Sequence, residues 1–298
     1  MSTRKAETKQ PTETKATRRY FDEVVYWLLR AVMYFVVAIV GFIVLKIVWE
    51  GVPAISWSFL SEMPRKGGAE GGILPPIVGT LCLVTGTIIV SLPLGVGTAI
   101  YLNEYARQGP FTRLVRSAIT TLAGVPSIVF GLFGLGLFVY FFGFGQSIIA
   151  GSLTLACMIL PTIIVSSEEA LKTVPQSLRD GSLALGATKW QTIWKNVLPY
   201  SIPGIMTGAI LGIGRAAGET APILLTVAAS YYLTLPSSIF DQVMALPYHL
   251  YYLATQHPEA AKVQPLQYGT ALVLLVIVLG FYMVAILIRN RFRKQCRW

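Results

Sequence analysis

Residues 212–226 read GIGRAAGETAPILLT, and Arg215 and Glu219 are the only charged side chains between Lys195 and Asp241. The flanking run, 201–229, is long and apolar enough to cross a hydrocarbon layer, which takes about 20 residues. Arg215 then falls at its middle, where exposing a guanidinium to lipid costs about 2.5–3.5 kcal/mol on insertion scales. The residue must therefore face the interior of a bundle or a wet cavity. In a continuous helix Glu219 shares its face one turn on and can pair with it. Thr207, Thr220 and Thr226 add hydroxyls along the same segment. Two readings follow from these residues: a structural ion pair that fixes helix packing, or a cation held in a polar pathway.

The rest of the chain supplies the bundle. Of its 298 residues 54% are hydrophobic and 13% charged, where soluble domains carry about 25% charged residues. Six apolar runs are expected to span a membrane as helices: 24–49, 73–102, 118–142, 148–165, 201–229 and 268–288. The fold class is thus an all-α polytopic membrane protein. The net charge of +10 raises the question of nucleic acid, and its distribution answers it. Eighteen of the 24 Lys and Arg lie in 1–20, 103–118, 166–199 and 289–298, on one side of a six-span topology. The opposite side holds Arg65, Lys66 and Lys262. That bias places both termini in the cytoplasm and makes no case for a nucleic-acid partner.

Other features are read as structural. Cys82 and Cys157 fall in spans and Cys296 in the basic tail 289–298, so no disulfide is expected. The polar segment 1–23 reads as a disordered tail without a cleavable signal. Arg30 and Lys46 can snorkel to the interfaces beside Tyr26, Trp27 and Trp49. Spans two and three are rich in glycine, which permits close helix approach in lipid, and Pro93 and Pro126 are expected to bend or break their helices. His249 and His257 lie in the external segment 230–267 without Cys or carboxylate at metal-ligand spacing. No phosphate-cradling G-x-x-x-x-G-K-[ST] and no H-E-x-x-H occurs, and two loop histidines make no catalytic set. Neither cofactor nor enzymatic role is expected, and any uphill work draws on energy from another chain.

The connection 166–199 is longer than a passive turn requires. It reads as two short helices broken at Gly186-Ala187-Thr188, either an interfacial hairpin or a knob for a cytoplasmic partner. Within it, Arg179-Asp180-Gly181-Ser182-Leu183-Ala184-Leu185-Gly186, followed by Leu198-Pro199, resembles the EAA loop of ABC-importer permeases, EAA-x-x-x-G-x9-I-x-LP. Asp180 stands in place of Glu, Gly181-Ser182 in place of Ala-Ala, and Asn196 where Ile is usual. The stretches GGILPPIVGT (71–80), LPLGVGTAIYLNEYA (92–106), GVPSIVFGLFG (124–134), KTVPQSLRDGSLALGATKW (172–190) and IPGIMTGAILGIGRAAGETAPILLT (202–226) are similar to the PstA-type permeases of phosphate ABC importers, over about residues 50–290.

This resemblance implies a type I ABC-importer permease fold in a prokaryotic inner membrane. It implies a PstC-like permease as the other half, a PstB-like ATPase dimer beneath, and a PstS-like binding protein that delivers phosphate. Asp180, Gly181, Ser182 and Gly186 would carry the coupling contact to the ATPase. Arg215, Glu219 and Thr220 would line the substrate pathway, the guanidinium fork suiting paired phosphate oxygens. Alternatives are a permease for another oxyanion such as molybdate, tungstate or sulfate, and a secondary anion transporter. A membrane-embedded enzyme would need a catalytic group that the residues do not provide. Single cysteines at positions 66 and 189, in a chain otherwise free of cysteine, are expected to react with impermeant thiol reagents from outside and from inside respectively. Labelling of both from one side would overturn the six-span topology.

Overall fold

The computed structural model describes residues 13–68, 70–227 and 234–295. The first twelve residues of the polar tail, the last two of the fifth predicted span and Cys296 lie outside them. Helix α1 (Glu13–Gly51) starts inside the stretch expected to be disordered. Beyond Pro11 that stretch has no Gly or Pro to stop a helix. Apolar side chains along α1 are exposed. Arg30 is held by its own helix: it donates to the hydroxyls of Tyr26 and Tyr34 at 3.1 and 3.3 Å and lies 5.3 Å from the Trp27 ring. The aromatic neighbours cover the charge that an apolar helix would otherwise leave bare.

A 3-10 turn (Val52–Ala54) leads to α2 (Trp57–Ser61), capped by Ser56 Oγ, which accepts from Phe59 N–H at 3.1 Å. Strands β1 (Pro64–Arg65) and β2 (Glu70–Gly71) form a minimal antiparallel pair. Helix α3 (Leu74–Ile100) opens on Pro75-Pro76, where missing N–H groups cost nothing. It continues through a π-helical turn, Tyr101–Tyr105.

The third predicted span, 118–142, is not one straight helix. Amphipathic α4 (Pro110–Leu122) and α5 (Ser127–Gly134), extended by a π-helical turn over Leu135–Phe141, meet at 103°. Pro126 lacks an N–H and disfavours the helical conformation at Val125, so the bend sits at Gly124-Val125-Pro126. Helix α6 (Ile148–Lys172) runs beyond the apolar limit at 165. Then come α7 (Gln176–Ala184), α8 (Lys189–Thr192), a π-helical turn (Ile193–Val197), α9 (Leu198–Gly218), α10 (Ala221–Thr226), α11 (Leu246–Thr255) and α12 (Gln264–Gln295). Helix α12 continues through the arginines read as a tail from 289. Among the described residues, five helical stretches are long and apolar enough to cross a membrane, and six if the bent α4–α5 pair counts as one.

Helix α6 is the centre, with α3 and α9 against it and α12 against α9. Leu155, Met158, Ile159 and Ile163 of α6 are fully buried with Leu83, Ile223 and Tyr248. Part of the segment 230–267 folds back into this core. Leu246 N–H donates to Thr80 Oγ1 at 2.8 Å, and the Met244 carbonyl meets the α-carbon face of Gly79. His249 is buried there, its pKa pushed down to about 4 by desolvation. It is therefore neutral at pH 7 and part of the packing. His257 instead accepts from Glu259 N–H at 3.1 Å in a surface turn. The histidines do not converge on one site.

A methyl at position 79 would collide with the Met244 backbone carbonyl, whereas one at position 97 meets nothing within 4 Å. Gly79→Ala is expected to destabilise by about 1–3 kcal/mol. Gly97→Ala is expected to be neutral or to stabilise by about 0.5–1 kcal/mol. Thermal unfolding of the two purified variants in detergent checks the contrast.

Candidate translocation and coupling sites

Arg215 lies in the last turn of α9, and that helix stops at Gly218. Pro222 causes the stop: its ring would strike the Gly218 carbonyl, and it has no N–H to give that carbonyl. Glu219 is extended (φ −75°, ψ 136°) and Thr220 precedes α10. Glu219 is therefore not on a continuous helix with Arg215, contrary to the reading from spacing. The carboxylate nevertheless swings back to Arg215 Nε, with Oε1 at 3.4 Å. The guanidinium also complements the free carbonyls that end α9.

Exposure separates this pair from a buried structural one. The Arg215 side chain is 36% exposed and that of Glu219 17%. Leu211 and Gly218, on the same side of α9, are exposed as well. Thr220 is half-buried beside the break. Thr207 and Thr226 are spent within their helices, donating to the carbonyls of Pro203 and Pro222 at 3.1 and 2.8 Å. The break thus presents one cation, one carboxylate and one hydroxyl on an open face.

The second site is the segment between α6 and α9. Gly186 takes φ +83°, a left-handed value that glycine adopts without strain, and ends the turn after α7. Thr188 and Gln191 then form a capping box that starts α8. The second arm is not a separate short helix. It runs through the π-helical turn into α9, and the widened turn over Ile193–Val197 accommodates Pro199 just beyond it. Ser182 Oγ and Thr192 Oγ1, 2.9 Å apart, tie the two arms. Asp180 is exposed and accepts from Gln176 Nε2 at 3.1 Å. Nothing lies near the α-carbon faces of Gly181 and Gly186, and Leu178, Leu183 and Leu185 are exposed, the last by 90%.

Sequence reasoning missed what anchors this segment. Arg179 donates to Glu104 Oε1 through Nη2 at 2.9 Å and Nε at 3.3 Å. It also donates to the carbonyls of Val174 and Leu171 at 2.6 and 2.9 Å, which closes the C-terminal end of α6. Asn103 Nδ2 adds a bond to the same carboxylate oxygen at 2.8 Å. Nearby, Arg116 pairs with the buried Glu168 at 3.0 Å, and Lys172 with the same oxygen at 3.3 Å. The pairs Arg179–Glu104 and Arg116–Glu168 join groups far apart in the chain, so no local spacing signals them.

The comparisons with known proteins fit this architecture. Residues 91–297 match the family described as "Binding-protein-dependent transport system inner membrane component". The chain belongs to that family. It is 38% identical over 239 residues to the phosphate transport system permease protein PstA of Mycobacterium leprae, covering 80% of this chain and 77% of the relative. It is 33% identical over 289 residues to the phosphate transport system permease protein PstA 2 of Mycobacterium bovis, covering 97% and 94%. Among solved structures, a bacterial ABC transporter involved in the import of the acidic polysaccharide alginate aligns with a TM-score of 0.61 at 15% identity, covering 92% of this chain and 99% of that one. The fold is accordingly that of an ABC-importer permease, a multi-pass inner-membrane protein.

Glu104→Gln keeps the shape of the clasp and removes one charge, leaving Arg179 partly buried without its counter-ion. Stranding a buried charge costs about 3–5 kcal/mol. The carbonyl bonds of Arg179 offset part of that, so a loss of about 1–3 kcal/mol is expected. Glu104→Gln combined with Arg179→Gln should lose less than the two single changes together. Additive losses in a double-mutant cycle of detergent stability would show that the pair is not coupled.

Proposed function

We propose that this chain is the transmembrane permease subunit of an ATP-driven phosphate importer and forms half of its translocation pathway. The reading is carried by 33–38% identity to PstA proteins over most of the chain. A PstC-like permease forms the other half, a PstB-like ATPase dimer docks beneath, and a PstS-like binding protein delivers phosphate from outside. Both termini are cytoplasmic, in keeping with the Lys and Arg bias.

In this reading the exposed turn of Asp180, Gly181, Ser182 and Gly186 seats in a groove of the ATPase. Leu183 and Leu185 supply the apolar contact. Closure of the ATPase dimer on ATP pushes the turn, and the clasp to Glu104 passes that push to α3 and α6. The open face of α9 meets the partner permease. Arg215, in the last turn of the helical stretch Lys189–Gly218 and not at its middle as the apolar run suggested, is then covered by protein and water, where lipid would penalise it. Phosphate passing along this face meets Arg215, whose fork matches two phosphate oxygens. Glu219 competes for the same cation, so the anion is attracted without being trapped. Thr220 offers one further hydroxyl donor.

Proteoliposomes holding the assembled complex should take up phosphate only with internal ATP and external binding protein. Preference for molybdate, tungstate or sulfate would replace the substrate, and uptake driven by an ion gradient alone would replace the class. Gly186→Trp should cut uptake at least tenfold by blocking the ATPase groove, with the membrane bundle still folded. Gly186→Asn, which tolerates the left-handed backbone, should retain most of it. Equal uptake by both variants would remove the coupling role.

Arg215→Gln should abolish uptake while the complex still assembles, because the amide keeps hydrogen bonding and loses the charge. Arg215→Gln combined with Glu219→Gln separates the two roles of the pair. A pathway arginine predicts normal assembly and no uptake in the double variant. Wild-type uptake there would show that the charges only hold the bundle together.

A further inference from the structure

A groove of about 580 Å³ runs between the second half of α3 and the start of the α8–α9 arm. Leu92, Val96, Ile100 and Leu198 line it, and four aromatic rings, Tyr101, Tyr105, Trp190 and Trp194, gather toward one end. Its floor is open at Gly97, where an added methyl would meet no atom within 4 Å. From Leu92 to Tyr105 the wall rises about 20 Å at 1.5 Å per residue. That spans one leaflet of a ~30 Å hydrocarbon core and reaches the headgroup level.

The charges sit at the aromatic end. Lys189 Nζ lies 4.9 Å from the centre of the Tyr105 ring, Lys195 is exposed beside Trp194, and Arg107 is exposed two residues past Tyr105. Trp190 and Trp194 stack with ring centres 5.7 Å apart and planes 23° from parallel. Of the nearby acids, Glu104 is committed to Arg179 and Asn103, and Asp180 accepts from Gln176. Both acids are thus engaged by other partners, and Glu104 lines a neighbouring cavity together with Lys189. Tyr and Trp mark the depth at which rings prefer the membrane–water interface, and cations there attract acidic headgroups.

We propose that this groove is a binding site for an anionic phospholipid. One acyl chain lies along α3 over Gly97, and the phosphodiester sits between Lys189 and Lys195. The site is independent of the transported substrate, since it needs only that the chain reside in a membrane. A bound lipid here would touch both α3 and the arm that leads from the coupling turn into α9. It would fill the space between two elements that the Glu104–Arg179 clasp already joins on another side.

The test uses the assembled complex in phosphatidylcholine nanodiscs carrying a few per cent of photoactivatable phosphatidylglycerol, with a diazirine in its acyl chain. The matching phosphatidylcholine probe is run in parallel, and cross-linked peptides are mapped on this chain. The phosphatidylglycerol probe should label 92–101 and 190–198 above the phosphatidylcholine probe by roughly 30-fold, the worth of two interfacial cations. Lys189→Gln with Lys195→Gln should bring the two probes level. Gly97→Leu, which fills open space and leaves the bundle intact, should remove labelling by both. Equal labelling by the two probes in the unaltered chain would overturn the proposal. So would absence of labelling from either probe, which would mean that protein covers the groove.

Discussion

The structure depends on how closely three helices approach α6. Glycines do this work at one position after another. Added Cβ atoms at Gly86 and Gly95 of α3 would strike Ser152 and Ile163, one at Gly134 of α5 would strike Thr154, and ones at Gly204 and Gly208 of α9 would strike Ala170 and Ser166. In lipid no hydrophobic force favours helix against helix over helix against acyl chain, so contact must come from fit and from hydrogen bonds. Close approach supplies both. Thr87 Oγ1 donates within α3 to the Leu83 carbonyl at 2.7 Å and sits 3.4 Å from the Ser152 carbonyl, while Ser152 Oγ reaches back to Leu83 O at 3.4 Å. The result is a closely packed trio, α3–α6–α9, with the turn after α7 near one end of α9 and the Arg215–Glu219 break at the other.

Within that packing the sites are built from interruptions. At one end α9 is reached through a π-helical turn. At the other it is broken by Pro222, and carbonyls are freed beside Arg215. A helix broken within a membrane is tolerated only where the freed groups meet protein or water. The cation at the break and the exposure of its face are two expressions of one requirement. An uninterrupted apolar helix would pack as well, but it would leave no polar group on this face.

The sequence made the class of fold legible because span length and charge bias are set by the bilayer, which acts on every residue alike. The Arg215–Glu219 pair was legible for the same reason, since a charge in an apolar run calls for a partner or for water. The geometry around it was less so. Spacing alone put Glu219 one turn along the same helix, and the ring of Pro222, acting four residues back, moved it out of the helix while leaving the pair within reach. Residues 118–142 were read as one span with a bend or break expected at Pro126, and the bend is there, at 103°; its size is what the apolar run did not disclose. The turn between α7 and α8 could be placed from the position of Gly186. Its anchor could not, since Glu104 and Arg179 are 75 residues apart and meet only after α3 and α6 have packed.

The anchor bears on how force travels through the molecule. A turn held only by the chain at its two ends would be free to swing against the helices it joins. Arg179 removes that freedom by bonding at once to a carboxylate at the end of α3 and to two carbonyls at the end of α6. The ring made by Ser182 and Thr192 does the same for the arm that becomes α9. All three helices of the trio are thus gripped at the turn. In the proposed importer a displacement there would be shared among them, and the open face carrying Arg215 would follow α9.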